Sequence, residues 1–175
     1  MNKIKKYFLA TILFMIVYSS STTAQQKRKV KSSTYNILLR KLLNHNVPEI
    51  TVDSLQKIVN DVVLLDAREP NEFKVSHITN ARFVGYNNFN IDSVEIMNKN
   101  TPIVVYCSVG YRSGKVAEKL IENGFLNVQN LYGGIFEWKN NNNKVVDENG
   151  VTDDVHPYSK SWGVWLKKGN KVYKK

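Results

Sequence analysis

The chain holds one cysteine, Cys107, inside the stretch VVYCSVGYRSG at residues 104–114. A β-branched run leads into it, and two small residues, a glycine and an arginine follow within a few positions. In α/β sheets, sites form at the carboxyl ends of strands, which is where this spacing puts Cys107. Gly110 can take a positive φ angle, so the loop after the cysteine can turn successive backbone N–H groups inward as a nest for an anion. A helix expected from Ser113 adds the positive potential of its unpaired N–H groups, and Arg112 adds a full charge. All three favour thiolate over thiol. The chemistry they suit is a nucleophilic sulfur held in an anion cradle. A lone cysteine ending an apolar strand is otherwise simple packing; the glycine, the arginine and the helix start together point away from that.

The elements that must hold this loop show in the periodicity. TPIVVYC (101–107) is the most apolar strand, and SGKVAEKLIENG (113–124) is an amphipathic helix. Val116, Ala117, Leu120 and Ile121 line one face of that helix, and Gly124 stops it. DVVLLDAR (61–68) reads as a strand buried on both faces. EITV, ARFVGY and VQNLYGG offer shorter strands. Helices are expected over 34–46, with Ile37, Leu38, Leu42 and Leu43 on one face, and over 53–60 behind an Asp53 cap. Further helices are expected over 69–77 from Pro70, over 91–100 and over 135–140. This alternation predicts an α/β domain with a central, mainly parallel sheet flanked by helices on both faces. NNNN (140–143) is a loop, and the tail beyond it carries Trp162, Trp165 and Leu166 at i, i+3 and i+4. That face packs back on the domain or, since basic residues flank it, rests on a lipid surface.

Composition bounds the setting. Residues 1–24 read as a bacterial secretory signal peptide: Lys3, Lys5 and Lys6, an apolar run from Tyr7 to Tyr18, then Thr22 and Ala24 before a cleavage at Gln25. The run is short of the roughly 20 residues needed to span a bilayer, so a periplasmic or secreted protein without a stable membrane anchor is expected. Outside the cytoplasm cysteines usually pair, and a single one cannot pair within its chain. The net charge of +10 is concentrated at the ends: residues 50–150 hold 10 Lys+Arg against 12 Asp+Glu. Basic ends of that kind are solvated tails or weak anionic-surface contacts, and no nucleic-acid partner is expected.

CSVGYRSG, LLDAREPNEFKVSHITNARFV and LYGGIFEW, at these separations, resemble the single-domain rhodanese family. The first fits its Cys-x-x-Gly-x-Arg-Ser loop, the second its upstream Asp-x-Arg segment, the third its closing Gly-Gly-x-x-x-Trp. The resemblance covers roughly residues 48–143. It leaves a basic lead and helix at 25–47 and an aromatic, basic extension at 144–175 outside the common three-layer domain.

The resemblance implies a sulfurtransferase. Cys107 takes a sulfane sulfur from an anionic donor such as thiosulfate and holds it as a persulfide. It then yields the sulfur to a thiol or to cyanide. Ser108, Val109, Gly110, Tyr111, Arg112 and Ser113 form the substrate loop, and Asp66, Arg68, Glu72 and His77 brace it. No metal and no organic cofactor are implied. Ser76 stands where the family usually has glycine, and Thr79-Asn80 where it has Pro-Gly.

Other readings remain open at this level. Cysteine phosphatases and arsenate reductases share the fold but place five residues between cysteine and arginine; here there are four. A non-catalytic binding module has no need of a thiol in an anion cradle, and a redox sensor would lack a resolving cysteine in its own chain. His156 near Asp153 and Asp154 reads as a solvated loop rather than a metal site, and His45 needs no function.

Overall fold

The computed structural model describes residues 29–95 and 97–173; the expected signal peptide lies outside the described residues. Five strands form one parallel sheet: β1 (Glu49–Ile50), β2 (Val63–Asp66), β3 (Arg82–Phe83), β4 (Ile103–Tyr106) and β5 (Val128–Leu131). Their order is β1-β5-β4-β2-β3. Around it lie α1 (Ser33–Leu42), α2 (Val52–Ile58), α3 (Pro70–Val75), α4 (Asp92–Glu95), α5 (Tyr111–Glu122) and α6 (Gly134–Asn140). The sheet is thus parallel and flanked by helices, as the alternation predicts.

Side chains on a strand alternate between faces, and β4 shows why its sequence is apolar throughout. Val104 and Tyr106 join Leu64 and Leu131 in one core, with Tyr35 and Leu39 of α1, Leu55 of α2 and Phe136 of α6. Ile103 and Val105 join Leu65 and Val128 in a second, with Val116, Ala117 and Leu120 of α5. Three layers follow from two buried faces.

The elements differ from the sequence reading at their ends. Thr51, not Asp53, caps α2: its Oγ1 accepts from the Ser54 N–H at 3.2 Å, and Asp53 sits in the first turn, where its charge suits the helix dipole. Helix α5 starts at Tyr111, two residues earlier than expected, because Gly110 ends the loop in a left-handed conformation. Ile121 and Ile37 are exposed; the buried side of α1 runs through Tyr35 and Leu39 instead. Asn80, in place of a glycine, adopts φ 63°, a region asparagine tolerates better than most residues.

The tail holds more structure than one helix. Strands β6 (Val145–Asp147) and β7 (Gly150–Thr152) make an antiparallel hairpin, and β8 (Asp154–Val155) pairs in parallel with β9 (Asn170–Lys171) around α7 (Lys160–Gly163). Leu166 is buried in the first core, and Trp162 and Trp165 pack against it. Trp165 stacks on Tyr35 with ring centroids 5.3 Å apart. Lys139, nearly buried, reaches Asp153 at 2.5 Å. The apolar face of the tail therefore packs inward. Both termini of the described chain are consequently part of one core, and Leu39→Ala is expected to destabilise the protein by about 2–5 kcal/mol. Urea unfolding measures this; a loss below about 1 kcal/mol, the scale of an ordinary surface change, would show that α1 only rests on the domain.

Candidate active site

Cys107 follows β4 directly, and the chain leaves the strand because α6 lies across its end. The Ile135 N–H donates to the Cys107 carbonyl at 2.9 Å and the Phe136 N–H to the Ser108 carbonyl at 3.2 Å. This contact requires Gly134: a Cβ there would lie 2.3 Å from the Cys107 carbonyl oxygen and 2.6 Å from that of Ser108. With their carbonyls held by α6, the loop residues turn back over the sulfur. Gly110, at φ 113°, brings its N–H to 3.1 Å from Cys107 Sγ. A side chain at Gly110 would be strained by that φ and would press on the Leu131 carbonyl at 3.3 Å.

Two side chains fix the far side of the loop. The Ser113 hydroxyl lies 3.4 Å from Sγ and 2.7 Å from Asn130 Oδ1, and Asn130 Nδ2 donates to the Gly110 carbonyl at 2.9 Å. A hydroxyl has one proton, so Ser113 serves Asn130 or the sulfur, not both at once. Asn130 thereby ties Gly110 and Ser113 to β5. Nothing in its sequence context singles it out, because its partners come from 17 and 20 residues away.

Glu72, almost fully buried, is the polar hub. Arg112 grips it bidentately, Nη1 to Oε2 at 2.6 Å and Nη2 to Oε1 at 2.8 Å. The Ser108 hydroxyl donates to Oε1 at 2.8 Å and the Glu69 N–H to Oε2 at 3.0 Å. Burial raises the cost of the charge, but the hydrogen bond and charge of Arg112, then Arg68 and the Glu69 N–H, hold the carboxyl below its usual range. The charge of Arg112 is thus shared with Glu72 rather than presented unopposed, and Tyr158 covers the guanidinium with its ring centroid 4.8 Å away.

The remaining residues singled out from sequence sit farther back. Asp66 and Arg68 form a fully buried pair at 2.7 Å, and Arg68 Nη2 donates to the Ser76 carbonyl at 2.6 Å. Ser76, also buried, sends its hydroxyl to the Asp154 carbonyl at 2.6 Å, which gives the departure from glycine a structural use: it ties the tail to the loop. His77 stacks on Phe73 with centroids 3.9 Å apart and exchanges backbone hydrogen bonds of 2.8 Å with Val146. His156 is held by the Tyr158 N–H at Nδ1 and the Tyr173 carbonyl at Nε2, and Asp153 by Lys139. Among the described residues no group of three or more His, Cys, Asp or Glu is placed to hold a metal ion, and no helix is long and apolar enough to cross a membrane.

Cys107 forms part of the wall of a cavity of about 330 Å³, beside Ser108, Val109, Tyr111 and Arg112. Leu42 of α1, Tyr86, and Tyr158 and Trp162 of the tail complete its apolar side, with Glu69 and Asn87 among its polar atoms. The flanks supply Leu42 and Trp162, which sequence patterning assigns to packing, and Tyr158, to which it assigns no role; only folding brings them to the cavity that Cys107 lines.

Three comparisons bear on this site. The family model described as "Rhodanese-like domain" matches residues 51–141, just over half of the chain. An uncharacterized protein of Bacillus subtilis, YqhL, is 39% identical over 75 residues, which make up 43% of this chain and 59% of that protein. The thiosulfate sulfurtransferase GlpE of Coxiella burnetii is 37% identical over 79 residues, 45% of this chain and 73% of that enzyme. The crystal structure of a rhodanese-related protein from Thermoplasma volcanium superposes with a TM-score of 0.53 at 28% identity, covering 58% of this chain and 99% of that one.

The Glu72 hub has a signature in pH. Its folded carboxyl titrates below the ordinary value of 4.5, so the stabilisation is complete above the unfolded value and is lost as pH falls through the folded one. Glu72→Gln is expected to cost about 3 kcal/mol near neutrality, since it removes the bidentate charge partner of Arg112 and leaves only Glu69, 4.0 Å away. It should also flatten the acid limb of stability measured by denaturant titration between about pH 5 and pH 2. An acid limb as steep as that of the wild type would remove Glu72 from this role.

Proposed function

The chain belongs to the rhodanese-like domain family, and on that footing we propose that it is a sulfurtransferase whose Cys107 carries a sulfane sulfur as a persulfide between donor and acceptor. The observation that supports this reading is the placement of Cys107, whose Sγ lies 3.1 Å from the Gly110 nitrogen and which is one of the residues lining an open cavity. With thiosulfate as donor, the Cys107 thiolate attacks the outer sulfur. The bond between the two sulfurs of the donor breaks, sulfite leaves with the electron pair, and the transferred sulfur remains bonded to Sγ as the persulfide anion. That anion needs donors where the thiolate had them. The Gly110 N–H and the Ser113 hydroxyl stand beside it, and the first N–H groups of α5, which have no intrahelical partner, lie four to six residues beyond Cys107. The second half returns Sγ as thiolate when a thiol or cyanide removes the outer sulfur. Each half forms one bond and breaks one, so covalent catalysis proceeds without net oxidation.

Four residues between Cys107 and Arg112 make a smaller loop than the five of cysteine phosphatases, which suits one sulfur atom better than a tetrahedral phosphate. Electrospray mass spectrometry of the intact protein after thiosulfate treatment is expected to show a gain of about 32 Da, one sulfur. The gain should vanish with cyanide and be absent in Cys107→Ser. A wild type that gains no mass with thiosulfate, mercaptopyruvate or polysulfide would sink the enzyme reading.

A further inference from the structure

The wall facing Cys107 is built from two parts of the chain. The segment that matches the family model, residues 51–141, supplies the sulfur and its loop; Leu42, Tyr158 and Trp162 come from outside it and line the same cavity. With Tyr86, Val109 and Tyr111 they give it a mostly apolar and aromatic lining. A volume of about 330 Å³ is roughly ten times the ~30 Å³ share of one water in the liquid and falls at the lower end of small-molecule sites. Cyanide or sulfite fills little of it.

Charge narrows the occupant further. Among the described residues Arg112 is the only cationic side chain on the lining, and it is spoken for: both its terminal nitrogens lie on Glu72, and its Nη1 is 4.0 Å from Glu69 Oε1. Tyr158 stacks over its plane. The Glu69 oxygen has no hydrogen-bond partner although it is buried. Two carboxylates therefore face one guanidinium, and among the described lining residues no unopposed cation awaits the carboxylates of a charged thiol such as glutathione. An uncharged body meets aromatic surface without a desolvation penalty for its own charge.

We propose that this cavity is the acceptor subsite, and that it takes a thiol with an uncharged, aromatic or apolar body, with Tyr158 and Trp162 as the residues that set this preference. The inference rests on the sulfurtransferase reading above. The acceptor thiolate attacks the outer sulfur of the Cys107 persulfide. The bond between that sulfur and Sγ breaks with its electron pair going to Sγ, which leaves as thiolate, and the acceptor departs as its own persulfide. The outer sulfur keeps its proton if it carries one, and no oxidant or reductant enters.

The test uses the full chain loaded with sulfur by thiosulfate or polysulfide. Rates of sulfur removal by 4-methylthiophenol and by glutathione are each divided by the rate of the same thiol with free cysteine persulfide, which removes intrinsic reactivity. The corrected preference for the aryl thiol is expected to be at least about tenfold and to fall by about threefold to tenfold in Tyr158→Ala, the scale of one lost aromatic contact. Trp162→Ala should fall likewise, with Trp162→Phe recovering most of the preference. Because Trp162 also packs on the core, the exposed Tyr158 is the decisive position.

A protein that loads sulfur yet shows no corrected preference, or one unaltered in Tyr158→Ala, overturns the subsite while leaving sulfur transfer intact. Thioanisole, which has the body but no thiol, separates the two ideas. Its binding to Cys107→Ser, followed by NMR shifts around Trp162 and weakened in Tyr158→Ala, supports the ligand class even if no persulfide ever forms. In that case the transfer reading alone falls; absence of binding counts against the subsite.

Discussion

The structure depends on one close approach. The first turn of α6 meets the end of β4 so tightly that Gly134 has no space for a side chain. That contact replaces the strand's next hydrogen bonds with the N–H groups of Ile135 and Phe136. The carbonyls of Cys107 and Ser108 are thereby held on the α6 side, and the loop has only one way to go, over the sulfur and into α5. The left-handed turn at Gly110 completes the reversal. A buried carbonyl must find a donor, and here that requirement orients the loop around Cys107.

Around this backbone arrangement the charges are matched in pairs. Asp66 and Arg68 are paired in the interior, while Glu72 gathers Arg112, Ser108 and the Glu69 N–H. Isolated buried charges would be costly, but each of these groups has hydrogen-bonded partners. The arrangement gives more geometric order than net stabilisation, since buried pairs often only offset their own desolvation. It ties the loop after Cys107 to α3, with Arg112 as a strut on Glu72.

The flanks turn the loop after Cys107 into one side of a cavity. Tyr35 donates to the Gly133 carbonyl at 3.0 Å and stacks on Trp165, so the helix before the sheet and the tail after it meet beside the Gly133-Gly134 turn. Ser76 binds the Asp154 carbonyl, and Val146 pairs with His77. The same tail that these contacts anchor carries Tyr158 and Trp162 to the cavity that Cys107 lines.

The sequence by itself determined the parallel α/β architecture and the loop that gathers Cys107, Gly110 and Arg112, because period-two and period-3.6 patterns and short motifs are local properties. Two ends were missed: a single hydrogen bond makes Thr51, not Asp53, the cap of α2, and the left-handed turn at Gly110 lets α5 begin two residues early. Tyr35 and Leu39, rather than Ile37, form the buried side of α1, since which face is buried depends on what lies opposite. Only the tertiary structure decided that Asn130 ties the loop to β5, that Glu72 holds Arg112, and that Leu42, Tyr158 and Trp162 wall the cavity. Those partners lie from about 20 to more than 60 residues away along the chain. Their meeting is set by sheet order and layer packing, which no local pattern encodes.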